Sequence, residues 1–144
     1  MVTIRIVNRS GMPLPKYETT GSAGMDLKAA LEEPVELKPL ERALVPTGLF
    51  MELPPGYEAQ IRPRSGISIK HGITLVNCVG TIDSDYRGEI KVPVVNLSHE
   101  AYTLKPGERI AQMIIARYET AALEAVEVLN ETDRGAGGFG STGK

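Results

Sequence analysis

Residues 74–95 hold two apolar stretches, Thr74-Leu-Val-Asn-Cys-Val79 and Ile90-Lys-Val-Pro-Val-Val95, on either side of Gly80-Thr-Ile-Asp-Ser-Asp-Tyr-Arg-Gly88. Val and Ile are enriched in strands, and a polar segment with Gly at both ends is typical of a turn between two strands. The pattern predicts a β-hairpin arm that carries two acidic residues. Because proline cannot donate a ladder hydrogen bond, Pro93 predicts an edge position or a bulge.

Similar patterns continue on both sides of this hairpin. Residues 2–7 alternate with a period of two, and Arg109–Ile115 is rich in Ile. Turn sequences such as Pro54-Pro-Gly56 and Lys105-Pro-Gly107 separate the segments. With 15 Gly, 10 Pro and no Trp, the composition favours many short strands. We therefore predict an all-β domain, which is a sandwich, a barrel or a jelly roll.

The domain organisation is simple. The chain has 144 residues, which suffice for one domain, and it shows no internal linker. Residues 1–133 are predicted to form that domain, with Ala29–Glu33 and Ala121–Leu129 undecided between helix and strand. Residues 134–144 hold five Gly together with Ser and Thr, a composition that cannot build a core. They are predicted to form a flexible tail.

Charge and composition exclude several classes of protein. The net charge is −2, without the basic excess of duplex-binding proteins, so we expect no nucleic-acid partner. One Cys and two His cannot build a His/Cys zinc site, and Cys78 cannot form an internal disulfide. The first residues lack the apolar run of a signal peptide, and no stretch approaches the roughly 20 apolar residues of a membrane span. We expect a cytoplasmic protein with no membrane partner.

Two segments have the chemistry to hold phosphate. Gly138–Lys144 formally fits the phosphate-loop pattern G-x-x-x-x-G-K, but that motif needs a strand before it and a helix after it, so a P-loop ATPase is rejected. The bare N–H groups, the hydroxyls and Arg134 still suit a phosphate, and the alternative is a disordered terminus. In Pro63-Arg64-Ser65-Gly66-Ile67 the serine can cap a helical turn beside the arginine guanidinium, or the segment is a plain surface turn.

Three polar residues are further candidates for a site. Asp83, in the predicted hairpin, can order and deprotonate a water, although an acidic solvated turn is the commoner case. Asn77 offers both a donor and an acceptor to the edge of a base. Gln112 shares a strand face with Ile110 and Ile114, where an amide is either an edge residue or a ligand contact.

Taken together and in this order, these segments resemble the five sequence motifs of the trimeric deoxyuridine triphosphatase (dUTPase) family. The motifs extend from one end of the chain to the other, and the third and fifth are highly specific. The matching segments are Ala23-Gly-Met-Asp-Leu27, Pro63-Arg-Ser-Gly66, Gly80-Thr-Ile-Asp-Ser-Asp-Tyr-Arg-Gly88, Gly107-Glu-Arg-Ile-Ala-Gln112 and Arg134-Gly-Ala-Gly-Gly-Phe-Gly-Ser-Thr142.

The resemblance implies a reaction, a metal and a catalytic residue. The reaction is the Mg²⁺-dependent hydrolysis of dUTP to dUMP and pyrophosphate, which keeps uracil out of DNA and supplies dUMP for thymidylate synthesis. Asp83 resembles the base that activates the water attacking the α-phosphorus. Asp26 resembles the acid that contacts the water shell of a magnesium ion held mainly by the phosphates.

The other motif residues resemble contacts to dUTP. Asn77, with the backbone near Thr81 and Ile82, resembles the group that recognises uracil. Tyr86 resembles the residue whose ring lies under the deoxyribose and blocks a 2′-hydroxyl, and Lys91 resembles a further contact. The residues that resemble phosphate contacts are Arg64, Ser65, Gly66 and Gln112. Those that resemble the closing tail are Arg134, Gly140, Ser141 and Thr142, with Phe139 as the ring over the uracil.

The resemblance also implies the fold and the assembly. The family fold is a β-jelly roll, or β-clip barrel, that forms a homotrimer with shared active sites, into which the tail reaches from a neighbouring subunit. Two alternatives are weighed against it. A deoxycytidine triphosphate deaminase shares the fold but uses a Glu base where this chain has Asp83. A non-catalytic dUTP-sensing module is expected to have lost Asp83 or the tail.

Overall fold

The computed structural model describes residues 1–138, and within them the chain is almost entirely β, which confirms the predicted fold class. The one helix of this part of the chain is α1 (Ser65–His71), which is too short to cross a membrane. The strands are β1 (Arg5–Asn8), β2 (Met25–Lys28), β3 (Val35–Leu37), β4 (Arg42–Glu52), β5 (Tyr57–Arg62), β6 (Ile73–Leu75), β7 (Gly80–Ile82), β8 (Glu89–Asn96), β9 (Tyr102–Leu104) and β10 (Arg109–Arg117). Neither Ala29–Glu33 nor Ala121–Leu129 forms a helix or a strand.

The strands form two four-stranded sheets and a small two-stranded one. The first sheet has the order β1-β4-β8-β6 and the second the order β2-β10-β5-β7, while β3 pairs with β9. All of these pairs are antiparallel. Side chains from all three sheets share one buried cluster, so the sheets enclose a single core. Along β8 every second residue faces it, since Ile90, Val92 and Val94 are fully buried.

The predicted hairpin at residues 74–95 is only partly correct. The two apolar stretches do pair, because β6 lies antiparallel to β8. The first of them is shorter than predicted and ends at Leu75. The segment between them contains β7, which pairs with β5 in the other sheet. The chain therefore crosses from one sheet to the other and back, and residues 83–88 form the return connection. Alternation alone cannot show this, since it does not specify which strand a segment pairs with.

Pro93 lies in an inner strand, so the predicted edge position and the predicted bulge are both wrong. β8 is flanked by β4 on one side and by β6 on the other. β6, however, ends at Leu75, which pairs with Val94. One step further along, Val76 N donates to Pro93 O at 2.9 Å. Proline has no N–H to donate to the neighbouring strand, and this missing hydrogen bond falls at the point where the ladder ends.

Helix α1 begins without the predicted serine cap. The N-cap position is Arg64, whose backbone is extended and whose side chain makes no capping hydrogen bond. Ser65 is already the first helical residue. The arginine side chain is left free for other partners because it does not cap the helix. Gly72 ends the helix in the left-handed conformation that favours glycine, with φ +66°.

Gly48→Ala is expected to lower the free energy of unfolding by about 2 kcal/mol or more, because it combines a left-handed backbone with a close approach. Gly48 has φ +68°, and a Cβ there would lie 2.7 Å from the Cα and N atoms of Ser10. Gly56→Ala is the matched control, since Gly56 has φ +84° with no atom within 4 Å of the added Cβ. Urea unfolding at one fixed protein concentration measures both variants. Equal losses would contradict a role for the close approach.

Candidate functional site

One carboxylate holds two arginines at the edge of the second sheet. Asp26 lies in β2, Arg64 precedes α1, and Arg109 begins β10. Arg64 Nε donates to Asp26 Oδ1 at 2.7 Å, and Arg109 Nη1 donates to Asp26 Oδ2 at 3.1 Å. Arg64 Nη1 also donates to the carbonyl of Arg109 at 3.2 Å. Three of the predicted motifs thus meet through this cluster, which we call the arginine–aspartate cluster (Asp26, Arg64 and Arg109).

Gln112 adjoins this cluster. It pairs with Asp26 across β2 and β10 and with Arg62 across β5 and β10. Its Nε2 donates to the carbonyl of Pro63 at 3.0 Å. A Cβ on Gly24 would lie 2.7 Å from Gln112 Oε1, so the glycine of the first motif makes room for this amide. The amide has a second N–H that can serve an anionic ligand.

A second group of predicted residues lines a separate cavity of about 340 Å³. It lies where β7 and the connection after it face β8. Most of its polar lining comes from the third motif and its surroundings. The lining residues are Leu44, Asn77, Thr81, Ile82, Asp83, Tyr86, Glu89, Lys91 and Pro93. We call it the base pocket, because within the described residues it unites those that the sequence analysis connected with the base and the sugar.

Tyr86 is held in this pocket by its neighbours. Its hydroxyl donates to the carbonyl of Glu89 at 3.0 Å, and its N–H donates to the carbonyl of Asp83 at 3.2 Å. The ring lies against Gly88, where an added Cβ would be 2.9 Å from Tyr86 Cε2 and closer still to Cζ and the hydroxyl. The position of this ring therefore depends on the absence of a side chain at residue 88.

Glu89 connects the base pocket to the neighbouring strand. Its Oε1 accepts a hydrogen bond from Gly48 N at 2.9 Å, at the point where the pairing of β4 with β8 shifts register. Its Oε2 lies 3.6 Å from Lys91 Nζ. The pocket thus contains a lysine paired with a carboxylate that the backbone of β4 anchors.

Asp83 follows β7 directly, and its side chain is exposed. It takes part in none of the ion pairs within residues 1–138. Asp26, by contrast, is engaged on both carboxylate oxygens. Of these two acids, Asp83 is the one whose carboxylate oxygens make no ion pair within the described residues.

Tyr102 and Glu108 form a further polar contact beside the arginines. The Tyr102 hydroxyl donates to Glu108 Oε1, and Glu108 Oε2 accepts from Lys105 N at 2.9 Å. Burial, together with this carboxylate, raises the pKa of Tyr102 to about 12. The tyrosine therefore stays protonated at neutral pH and remains a donor to Glu108. This keeps the carboxylate occupied although Arg109 is its neighbour in the chain.

Not every predicted residue joins one of these groups. Ser65 and Gly66 are exposed at the start of α1, next to the arginine–aspartate cluster. Arg134 is exposed, and its Nε donates to the carbonyl of Gly137 at 2.9 Å within its own turn. The tail residues that lie outside the described part of the chain are Phe139, Gly140, Ser141 and Thr142.

Two residues at these sites were missed by sequence reasoning. Arg109 stands in the fourth motif, three residues before Gln112, but nothing in the sequence shows that it meets Asp26. Glu89 directly follows the third motif, and the sequence gives no sign that it is more than an acidic residue on the exposed face of a strand. The alternation of Glu89 and Lys91 on one strand face was the available signal for their pairing.

Solved structures show the class to which this scaffold belongs. A Staphylococcus bacteriophage 80alpha dUTPase, the G164S mutant with dUpNHpp, matches with a TM-score of 0.88 and 26% identity over 100% of both chains. The 80alpha dUTPase with dUPNHPP matches with the same TM-score, identity and coverage. Both neighbours have a fold of the jelly-roll type. The protein is thus a jelly-roll enzyme of the nucleotide-hydrolysing class.

Comparison of sequences makes the assignment specific. The dUTPase family profile matches residues 10–143. The deoxyuridine 5′-triphosphate nucleotidohydrolase of Finegoldia magna is 66% identical over 140 residues, which are 97% of this chain and 98% of that protein. The corresponding enzyme of Fusobacterium nucleatum is 57% identical over 99% of this chain and 98% of its own. The chain belongs to the dUTPase family, and it is an enzyme that hydrolyses dUTP.

Proposed function

We propose that the chain cleaves dUTP at the α-phosphorus, to dUMP and pyrophosphate, with Asp83 as the base. The observation that carries this proposal is the exposed Asp83 carboxylate on the lining of the base pocket, beside Asn77 and Tyr86. A nucleotide whose base and sugar occupy that pocket brings its α-phosphorus near this carboxylate. The role of such an enzyme is to limit uracil in DNA and to supply dUMP for dTMP synthesis, and its expected location is the cytoplasm.

The proposed step is an in-line displacement by water. The water oxygen attacks the α-phosphorus, and the proton it loses passes to the Asp83 carboxylate. As the new P–O bond forms, the bond to the oxygen that bridges the α- and β-phosphorus atoms breaks. Pyrophosphate leaves with that electron pair. A positioned carboxylate contributes by orienting the water and by accepting its proton in the transition state.

Selectivity is proposed to reside in the base pocket. Asn77 is exposed next to Gly80, where an added Cβ would lie 3.1 Å from Asn77 Nδ2. Its amide, with the backbone near Thr81 and Ile82, offers donors and acceptors to the edge of uracil. A pocket shaped in this way is proposed to leave no space for the thymine methyl and to present the wrong partners to cytosine. Lys91 is proposed as a further contact to the nucleotide.

Gly88→Ala is expected to weaken the discrimination against UTP. The added methyl would displace the Tyr86 ring, which is proposed to block a 2′-hydroxyl. We expect the ratio of kcat/KM for dUTP to that for UTP to fall by about tenfold, a typical effect of one methyl group on a specificity site. The same change in a Tyr86→Ala background should have no further effect on the ratio. A further fall in that background would contradict an action through Tyr86.

The phosphates are proposed to lie against the arginine–aspartate cluster. Arg64 presents a guanidinium suited to bidentate contact with phosphate oxygens, and Gln112 has a spare N–H nearby. Ser65 and Gly66 complete this group of phosphate contacts. From the tail, Arg134, Gly140, Ser141 and Thr142 are proposed to close over the phosphates, with Phe139 over the uracil.

Magnesium fits this site if the substrate supplies the direct ligands. Among residues 1–138, no three His, Cys, Asp or Glu side chains lie close enough together to hold a metal ion. Mg²⁺ keeps several waters and is commonly bound through substrate phosphates, so no such group is required. Asp26 suits a contact through water, because a carboxylate has about four acceptor positions and the arginines occupy two of them. When bound, the ion would neutralise charge on the phosphates and on the leaving pyrophosphate.

A homotrimer with shared sites is proposed for the assembly. Arg64 and Arg109 line one cavity of the chain, and the base pocket is a separate cavity. One dUTP molecule needs both groups of residues. Residues 119–133 also have no regular secondary structure and expose apolar side chains, among them Leu123 at 96% and Val128 at 84%. Exposed apolar side chains of this kind indicate contact with another chain. Residues 1–133 are proposed as the assembled domain and residues 134–144 as the closing tail.

The test of the proposed function is pyrophosphate release from dUTP, dTTP, dCTP and UTP in parallel, with magnesium and with identification of the nucleoside products. Rapid release from dUTP alone, giving dUMP, is the expected result. A deaminated product from dCTP would instead indicate the deaminase. Binding of dUTP without turnover would indicate a dUTP-sensing module, and either result would overturn the proposed mechanism.

A further inference from the structure

Two hydrogen bonds from different nitrogen atoms hold the Arg64 guanidinium in place. Its Nε donates to Asp26 at 2.7 Å, and its Nη1 donates to the carbonyl of Arg109 at 3.2 Å. The two side chains of the Arg64–Asp26 pair are only 25% and 21% exposed, so this ion pair is sheltered from water. A sheltered pair loses less of its strength to screening than a surface pair does.

Arg109 fixes the carboxylate that fixes Arg64. Its Nη1 donates to Asp26 Oδ2, the oxygen that Arg64 does not use. The Asp26 carboxylate therefore accepts from one arginine on each oxygen, and its rotation would break both contacts. Because the carbonyl of Arg109 also accepts from Arg64, this residue acts on the guanidinium at two points.

The surroundings of Arg109 favour contact with an anion. It lines a cavity with Arg64, Gly66 and Lys70. The nearest acid in the sequence, Glu108, is occupied by the Tyr102 hydroxyl and by the N–H of Lys105. Asp26 is consequently the one carboxylate that Arg109 contacts within the described residues.

We propose that Arg109 is a positioning residue for triphosphate binding, which acts through Asp26 to hold the Arg64 guanidinium in the orientation that receives the phosphates. The inference rests on the proposed function, in which Arg64 is a phosphate contact. It adds a residue to which the sequence resemblance gave no role. It also gives Asp26 a second task, since the same carboxylate orients the arginine and presents its free acceptor positions to the metal-bound waters.

Binding of dUpNHpp tests the proposal without turnover, because its α,β-bridge is an imido group. Arg109→Gln is expected to weaken binding of dUpNHpp by about tenfold, the ratio that loss of one charge-assisted hydrogen bond typically produces. Binding of dUMP, which lacks the β- and γ-phosphates, should change by less than about twofold, which is the size of effect that surface substitutions usually have. Arg109→Lys should restore most of the loss, since an ammonium can still pair with Asp26.

A double-mutant cycle separates action through Arg64 from other roles. In an Arg64→Ala background, Arg109→Gln should cause no further loss of dUpNHpp binding. Lys28→Gln is the matched control, because Lys28 pairs with Arg109 across the strands and carries the same charge but does not contact Asp26. It should change binding by less than about twofold, since it removes only a screened surface charge.

Several results would overturn the inference. Unchanged dUpNHpp binding in Arg109→Gln would show that Arg109 positions nothing. Additive losses with Arg64→Ala would show that it acts independently of Arg64. An equal loss of dUMP binding would show a general structural role. If the unsubstituted protein bound dUMP but not dUpNHpp, the proposed phosphate site would fail, and this inference would fail with it.

Discussion

Asp83→Asn should lower kcat for dUTP by about 10³-fold, within the range that removal of a general base produces. The substitution keeps the shape of the side chain but removes the charge that is proposed to draw a proton from water. Because Asp83 follows β7 on the surface and takes part in no ion pair of residues 1–138, the fold has little dependence on its charge. We therefore expect binding of dUpNHpp to stay within about threefold of that of the unsubstituted protein.

The matched control for this prediction is Asp85→Asn. Asp85 is exposed in the same connection, two residues away, but it is not among the residues that line the base pocket. It should keep kcat within about twofold, as surface substitutions usually do. The measurements are single-turnover hydrolysis of dUTP and titration with dUpNHpp. Equal losses of turnover in both variants would indicate that the charge of the connection, and not the Asp83 carboxylate, supports catalysis. A parallel loss of binding would indicate that Asp83 holds the ligand or the fold.

The strands of this fold were largely predictable from local pattern, but their partners were not. The stretch Ile90–Val95 lies within β8 and Arg109–Ile115 lies within β10, because alternation and Ile or Val content are local properties. The assignment of β7 to the sheet of β5, away from β8, depends on contacts between distant segments. Pro93 misled the prediction of an edge because β6, which flanks β8, ends at Leu75. The sequence does not show where a partner strand ends.

The candidate site was predictable where a side chain acts alone and not where it acts through a partner. Most polar residues around the base pocket were named from motif and chemistry, and Glu89 is the exception. The pairing of Asp26 with two arginines joins residues 38 and 83 positions apart in the chain, and no local pattern encodes it. No local pattern shows that the position of the Tyr86 ring depends on Gly88 either, because this contact is known only from the structure.

Deletion of residues 134–144 should lower kcat by at least about 10²-fold, because closure over a substrate aligns the nucleophile and excludes water. Positioning and exclusion of water act mainly on the transition state, so we expect KM for dUTP to change much less than kcat. Binding of dUMP should largely be retained, since the base pocket lies wholly within residues 44–93 and Phe139 is the one proposed base contact that the deletion removes. Single-turnover hydrolysis and titration with dUMP measure the two effects on one preparation.

The design of this deletion separates catalysis from assembly. A variant shortened after Asp133 keeps residues 119–133, whose exposed apolar side chains are proposed to contact a neighbouring subunit. Its number of subunits in solution, obtained from the mass measured by light scattering, should therefore equal that of the full chain, whereas removal of residues 119–144 should reduce it. Arg134→Ala is the matched control within the tail, since it removes one cation and leaves the glycines and hydroxyls in place. It should lower kcat by less than the deletion does, because several groups share the closing contact. Full activity of the shortened chain would contradict the role of the tail, and dissociation of that chain would place assembly contacts beyond residue 133.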